Sequence, residues 1–170
     1  MATDRPHTEP AEARVAGCLD ALGIAFSRYG HPPVFTVEEA ERYWADIPAT
    51  HCKNLFLRNA KGSRHYLVVL EHSKKADLKD LAARIGDDRL SFGSPDRLIR
   101  FLGLTPGSVS PFGLIHDGAR DVIVVLDAAL AAAERLGFHP NVNTATITLS
   151  AADFLRFLES RGNVVRRMAL

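Results

Sequence analysis

Lys53, His139 and the loop Gly107-Ser108-Val109-Ser110-Pro111-Phe112-Gly113 are the positions in this sequence whose residue types suit chemistry. A lysine desolvated beside apolar side chains is a cation that binds a carbonyl, a carboxylate or a phosphate. Imidazole donates or accepts near neutral pH, so it can orient a water or hold a hydroxyl. The loop's glycines carry no Cβ, and Pro111 fixes its own φ while drawing Ser110 towards an extended conformation. Such a loop holds one shape and leaves main-chain N–H groups and hydroxyls free for a ligand. Asn54 beside Lys53, and Asn143 and Thr144 just beyond His139, add donors and acceptors, and the three segments together suggest one cleft. Each feature also has a plainer reading. Turn formers dominate ordinary connections, a lysine commonly snorkels its ammonium to water, and a lone histidine or strand threonine is often structural.

Other chemistries find no support in the spacing. Cys18 and Cys52 form no CxxC, and the seven histidines show no HxxxH or HExxH spacing, so neither a metal nor another cofactor is expected. Ser108 and Ser110 lack the Gly-x-Ser-x-Gly elbow of a serine hydrolase, and there is no phosphate-loop or dinucleotide glycine fingerprint. The 170 residues, 46% of them hydrophobic, suffice for one substantial core and one domain. Lys and Arg (21) nearly cancel Asp and Glu (20), so contact with a nucleic acid must come from a local patch. Lys74, Lys75, Lys79 and Arg84 offer one, although a solvated helix face explains them as well. No window approaches the ~20 apolar residues of a membrane span, and the unpaired thiols suit the cytoplasm.

The elements that must position these residues follow from periodicity and punctuation. Helices are expected from Thr8 to Leu22, from the Thr36-x-x-Glu39 capping box to about Trp44, from Leu78 to Ile85 behind Asp77, after Ser94-Pro95 as far as Gly103, and after Ser150 as far as Gly162. Ala128 to Ala133 reads as a helical turn. Strands are expected from Ile24 to Tyr29, from Asp121 to Leu126 and from Thr144 to Leu149. A hairpin joins Lys53–Arg58 to Arg64–Leu70, and a brief extended piece covers Arg89 to Phe92. In the hairpin, Lys53 shares a face with Leu55 and Leu57. Interspersed strands and helices without strict βαβ repetition predict an α/β (α+β mixed) fold, a curved mixed sheet with flanking helices. Residues 1–7 read as a disordered start, and 8–170 as a single domain.

Across most of its length the chain resembles a known family. The matching stretches are His31-Pro-Pro-Val-Phe-Thr36, Lys53-Asn-Leu-Phe-Leu57, Asp77-Leu-Lys79, Leu90-Ser-Phe92, Leu102-Gly103, Pro106-Gly-Ser-Val-Ser-Pro-Phe-Gly113 and Gly137-Phe-His-Pro140 with Asn143-Thr-Ala-Thr146. They are similar to the free-standing relatives of the editing insertion domain of bacterial prolyl-tRNA synthetase, in particular to the branch that deacylates alanyl-tRNA(Pro) rather than cysteinyl-tRNA(Pro). The resemblance implies hydrolysis of the ester between a wrong amino acid and the acceptor end of tRNA(Pro), without a metal, by a water activated with help from the terminal ribose hydroxyl. It places Lys53 in the editing pocket and makes Gly107 to Pro111 the holder of the aminoacyl group and terminal adenosine. Ser110 stands where many members have Thr or Ser. The roles expected on this basis are catalytic for Lys53 and His139, and substrate-binding for Asn54, Gly107, Ser108, Val109, Ser110, Pro111, Asn143 and Thr144. Prolyl-tRNA synthetase is the implied partner. Deacylation of cysteinyl or seryl esters, and a non-catalytic tRNA-binding module serving a synthetase, are the alternative readings.

Overall fold

A computed structural model describes residues 10–170; the start expected over residues 1–7, with Thr8 and Glu9 of the first helix, lies outside the described residues. Helix α1 spans Pro10–Ala21. Its end is closed by Gly23 N–H to Asp20 O (3.0 Å) and Ile24 N–H to Leu19 O (2.9 Å). Ile24 thereby spends its donor on the helix, so strand β1 begins only at Ser27 and runs to Gly30, three residues later than the sequence suggests. Thr36 caps α2, Val37–Trp44, and accepts from Glu39 N–H (3.2 Å). Glu39 returns the bond one residue further back than a capping box does, to Phe35 N–H at 2.7 Å.

The expected hairpin forms from β2, Thr50–Arg58, and β3, His65–Glu71, with Lys53 opposite Leu70 and Arg58 opposite His65. Helix α3 (Leu78–Ile85), the two-residue β4 (Ser91–Phe92) and α4 (Pro95–Leu102) follow. Asp77 and Ser94 serve as N-caps, as the sequence predicts. A short 3-10 helix, Pro111–His116, precedes β5 (Val122–Asp127), and a second, Ala128–Ala132, is the alanine-rich turn. Strand β6 (Arg135–Phe138), β7 (Ala145–Ser150), α5 (Ala151–Arg161) and β8 (Val165–Met168) complete the order.

The strands form one mixed sheet in the order β1-β7-β6-β2-β3-β5-β8, with β4 beside β2. Parallel pairs join β2 to β6, β3 to β5 and β5 to β8; the remaining pairs are antiparallel. Period-2 alternation explains how β3 sits in the middle. Leu67 and Val69 pack with α1, α4 and α5 through Leu19, Leu102, Phe154 and Phe157, while Tyr66, Val68 and Leu70 pack with Leu81 and Ile85 of α3. Strand β5 is likewise buried on both faces, as its unbroken apolar run requires. Helix α2 builds a small cluster of its own from Val34, Ala40, Trp44 and Ile47.

The feature that makes a site lies in β2. On the edge opposite β3 it meets β6 only at Thr50 and His51, and β4 only at Leu57 and Arg58. Between these contacts, Cys52 to Phe56 have no strand neighbour on that side, and the two halves of the sheet part there. Among the described residues, no helix is long and apolar enough to cross a membrane.

Candidate active site

A cavity of about 180 Å³ fills this opening. Its walls come from the segment at the head of α2 (Val34 to Val37), from Ala40 and Trp44 of that helix, from Cys52, Lys53 and Asn54 of β2, from Gly107 and Val109, and from His139. Successive strand residues point to opposite faces, so three in a row can line one cavity only where the cavity meets the strand edge. Lys53 therefore stands at the split in the sheet. The leucines expected to share its face, Leu55 and Leu57, turn into the cluster under α3.

Five of the residues singled out in the sequence come together here: Lys53, Asn54, Gly107, Val109 and His139. The other five stand behind the wall. Ser110 is fully buried, and its hydroxyl accepts from Phe112 N–H at 3.2 Å as the cap of the 3-10 helix that Pro111 begins. Ser108 is buried, its N–H donating to Thr105 O at 3.1 Å. Asn143 ties down the segment before α2: its Nδ2 donates to Val34 O (3.0 Å) and its carbonyl accepts from Val34 N–H (3.1 Å). Thr144 O accepts from His31 N–H at 2.9 Å. Trp44 and Phe35 also line the cavity, a placement that no local pattern in the sequence reveals because it depends on how α2 packs.

The polar inventory is specific. His139 Nδ1–H donates to Ala145 O at 3.0 Å, which leaves Nε2 as the acceptor of a neutral ring. Burial holds this imidazole below the ordinary histidine range, and nearby His31 and His51 act in the same direction against the Ala145 bond. His31 lies 5.9 Å from His139 between ring centroids, stacks on Tyr43 and is fixed by Pro32 O (2.9 Å) and Thr146 Oγ1 (3.0 Å). Trp44 stacks on His51 at 4.7 Å and 6°, and His51 Nε2–H donates to Ile47 O at 3.0 Å. That stack requires Gly137, where a Cβ would fall 2.6 Å from His51 Nδ1. Trp44 Nε1 and Asn54 Oδ1, on two residues of the cavity wall, are buried without a partner among the described residues. Such atoms cost about 1–3 kcal/mol each when left unsatisfied.

Cys52 cannot serve as a nucleophile here. Burial pushes its thiol up, Glu71 and Asp127 add to the shift, and the reactive form is the thiolate. No group of three or more His, Cys, Asp or Glu side chains among the described residues is placed to hold a metal ion. The basic patch on and before α3 is partly neutralised: Lys74 Nζ binds buried Asp127 at 2.6 Å, and Arg84 pairs with Asp80 at 3.7 Å. Lysine or arginine already spent on a carboxylate has little left for a phosphate.

The sequence that builds this fold and this cavity has known relatives. The family model of the aminoacyl-tRNA editing domain covers residues 31–157, and the chain belongs to that family of aminoacyl-tRNA deacylases, which act on tRNA. It is 42% identical to the prolyl-tRNA editing protein ProX of Acetoanaerobium sticklandii, over 94% of this chain and 98% of that one. It is 36% identical to the prolyl-tRNA synthetase associated domain-containing protein 1 of Bos taurus, over 85% and 86%. A multifunctional Ser/Thr-tRNA deacylase of Escherichia coli, ProXp-y, is 29% identical over 63% of this chain and 62% of its own length. A crystal structure described as a candidate trans-editing enzyme for prolyl tRNA synthetase shares the fold, with a TM-score of 0.72 at 20% identity, over 96% of this chain and 99% of that one.

Proposed function

We propose that residues 8–170 act as one cytoplasmic domain that removes alanine from mischarged alanyl-tRNA(Pro), working beside prolyl-tRNA synthetase. The observation that carries this reading is the strand-edge cavity of about 180 Å³, which joins Lys53 and Asn54 to Gly107 and His139. A synthetase pocket shaped for proline rejects the smaller alanine weakly, because a missing methylene is worth only about 1–3 kcal/mol, or ~10–200-fold. A second pocket that admits alanine and excludes proline supplies the remaining discrimination. The narrow opening walled by Val34, Ala40 and Val109 has the character of such a sieve.

The chemistry asks little of the protein. Water attacks the ester carbonyl, the bond to the ribose oxygen breaks, and that oxygen leaves with a proton, giving free alanine and a tRNA with its terminal hydroxyl restored. Orientation and donors for the developing oxyanion suffice for an ester, with no protein nucleophile. Lys53 supplies positive charge beside the carbonyl, His139 Nε2 accepts from the water or the ribose hydroxyl, and Asn54 lines the acyl subsite beside Lys53. Gly107 and Val109 bring main chain close to the acyl group. Ser108, Ser110, Pro111, Asn143 and Thr144 act through the wall they hold in place.

Seryl or cysteinyl esters are the second reading, favoured by the likeness to a relative named as a Ser/Thr-tRNA deacylase. The test is to incubate the protein and its Lys53→Ala variant with tRNA(Pro) charged with alanine, serine, cysteine or proline and to follow ester loss. Fastest loss of alanine, sparing of proline and a reduction of at least ~100-fold in Lys53→Ala are expected. Retention of every ester would leave only a tRNA-binding role, and full activity in Lys53→Ala would remove that residue from the mechanism.

A further inference from the structure

We infer that Phe35 is a stacking platform for the terminal base of the tRNA, a subsite outside the acyl pocket that anchors the substrate through any base with a π face. This rests on the aminoacyl-tRNA reading of the same cavity. Phe35 is 69% exposed, the most exposed large apolar side chain among the described residues, yet it also lines the cavity, so its ring stands at the mouth. Burying an exposed aromatic ring is favourable, and a ring kept in water at a binding site is available to a ligand's flat surface.

The main chain that carries the ring is held in place. Val34 before it is buried and bonded through both main-chain groups to Asn143. Phe35 N–H is held by Glu39, and Thr36 after it caps α2. On the other side of the mouth, Gly107 at φ +88° brings its main chain beside the ring; a Cβ there would lie 3.5 Å from Phe35 Cδ1. Volume gives the second argument. About 180 Å³ is well below the roughly 300–1,000 Å³ of pockets that enclose a drug-sized ligand, so an aminoacyl nucleoside cannot be wholly inside. With the acyl group against Lys53 and Asn54, the ribose occupies the mouth and the base emerges where Phe35 stands. Acidic Glu38 and Glu39 flank this segment and disfavour a phosphate there, whereas an uncharged base is compatible with it.

The test uses the whole protein with two substrates: alanyl-tRNA(Pro), and the same RNA with an abasic terminal nucleotide. Phe35→Leu keeps apolar bulk and removes the π face, while Phe35→Tyr keeps the face. On the normal substrate, KM for Phe35→Leu rises roughly 5- to 150-fold with kcat little changed, the size expected for one stacked base, and Phe35→Tyr restores it to within a few-fold. On the abasic substrate, Phe35→Leu and wild type become alike. An unchanged KM in Phe35→Leu, or an equal penalty on both substrates, would overturn the platform while leaving the deacylase reading intact. Wild-type protein inert towards both substrates would overturn that reading and the platform with it. Substitution of so exposed a ring leaves the fold intact, and matching thermal midpoints for the three proteins check this.

Discussion

In the proposed reaction it is the state of His139 that sets the pH dependence. Its Nδ1–H is committed to Ala145 O, so the ring accepts through Nε2 only while neutral. Burial lowers its pKa, so as pH falls the proton arrives below the ordinary histidine value of about 6.5, and the acceptor disappears there. The expected kcat/KM profile has an acidic limb with its midpoint under pH ~6.5, and His139→Gln abolishes that limb. A midpoint above ~6.5, or a limb that persists in the variant, contradicts the assignment. At this scale the sequence was legible where a side chain needs only itself. Lys53 and His139 are a cation and an imidazole wherever they sit. Ser110 was not legible: whether its hydroxyl meets a ligand or caps a turn depends on Phe112 N–H, which folds back onto it.

The loop and the head of α2 form the mouth together. Gly107 has φ +88°, a region that costs an L-residue roughly 1–2 kcal/mol, while the Cβ it would add makes only ordinary contact with Phe35. Gly107→Ala should therefore lower stability by about that amount, or a few degrees in Tm for a chain of this size, and reduce kcat/KM as the mouth shifts. Calorimetry and steady-state deacylation measure the two effects; an unchanged Tm would mean that the loop relaxes without strain. Helices were legible at this scale because caps and stops are local, as at Asp77 and Ser94 with Gly86 and Gly103 after them. Strands β6 and β8 were not. Leu136, Gly137 and Phe138 are all buried and so show no alternation, and β8 carries two arginines in four residues. Their pairing is decided by β2 and β5, far away in the chain.

Among the described residues, four histidines are held below their ordinary range: His51, His65, His116 and His139, each chiefly by burial. His65 goes furthest, to about 4, through burial and then the charges of Arg97, Arg100 and Arg58. Arg97 Nη1 donates to its Nε2 at 2.9 Å, which fixes the neutral ring. The unfolded chain takes up these protons first, near pH 6.5, so their contribution is fully present above that value and is lost as pH falls through it towards 4. The urea midpoint should drop between about pH 7.5 and 5, and His65→Gln should show a smaller drop than wild type. An equal drop in both would assign the effect to other groups. The fold class was legible because mixed strand and helix punctuation excludes a doubly wound sheet. The parting of that sheet was not, since it arises from two distant strands meeting β2 at its opposite ends.

The way β2 is shared among three partners also sets when the protein becomes competent. Its pairing with β3 closes across a short turn and can form early, whereas its pairing with β6 joins residues 50 and 51 to 136 and 137. The wall carrying His139 arrives with that late contact. A chain still being synthesised thus carries Lys53 with no pocket around it. It stays inert towards the aminoacyl esters that surround a translating ribosome until most of its own length has been made.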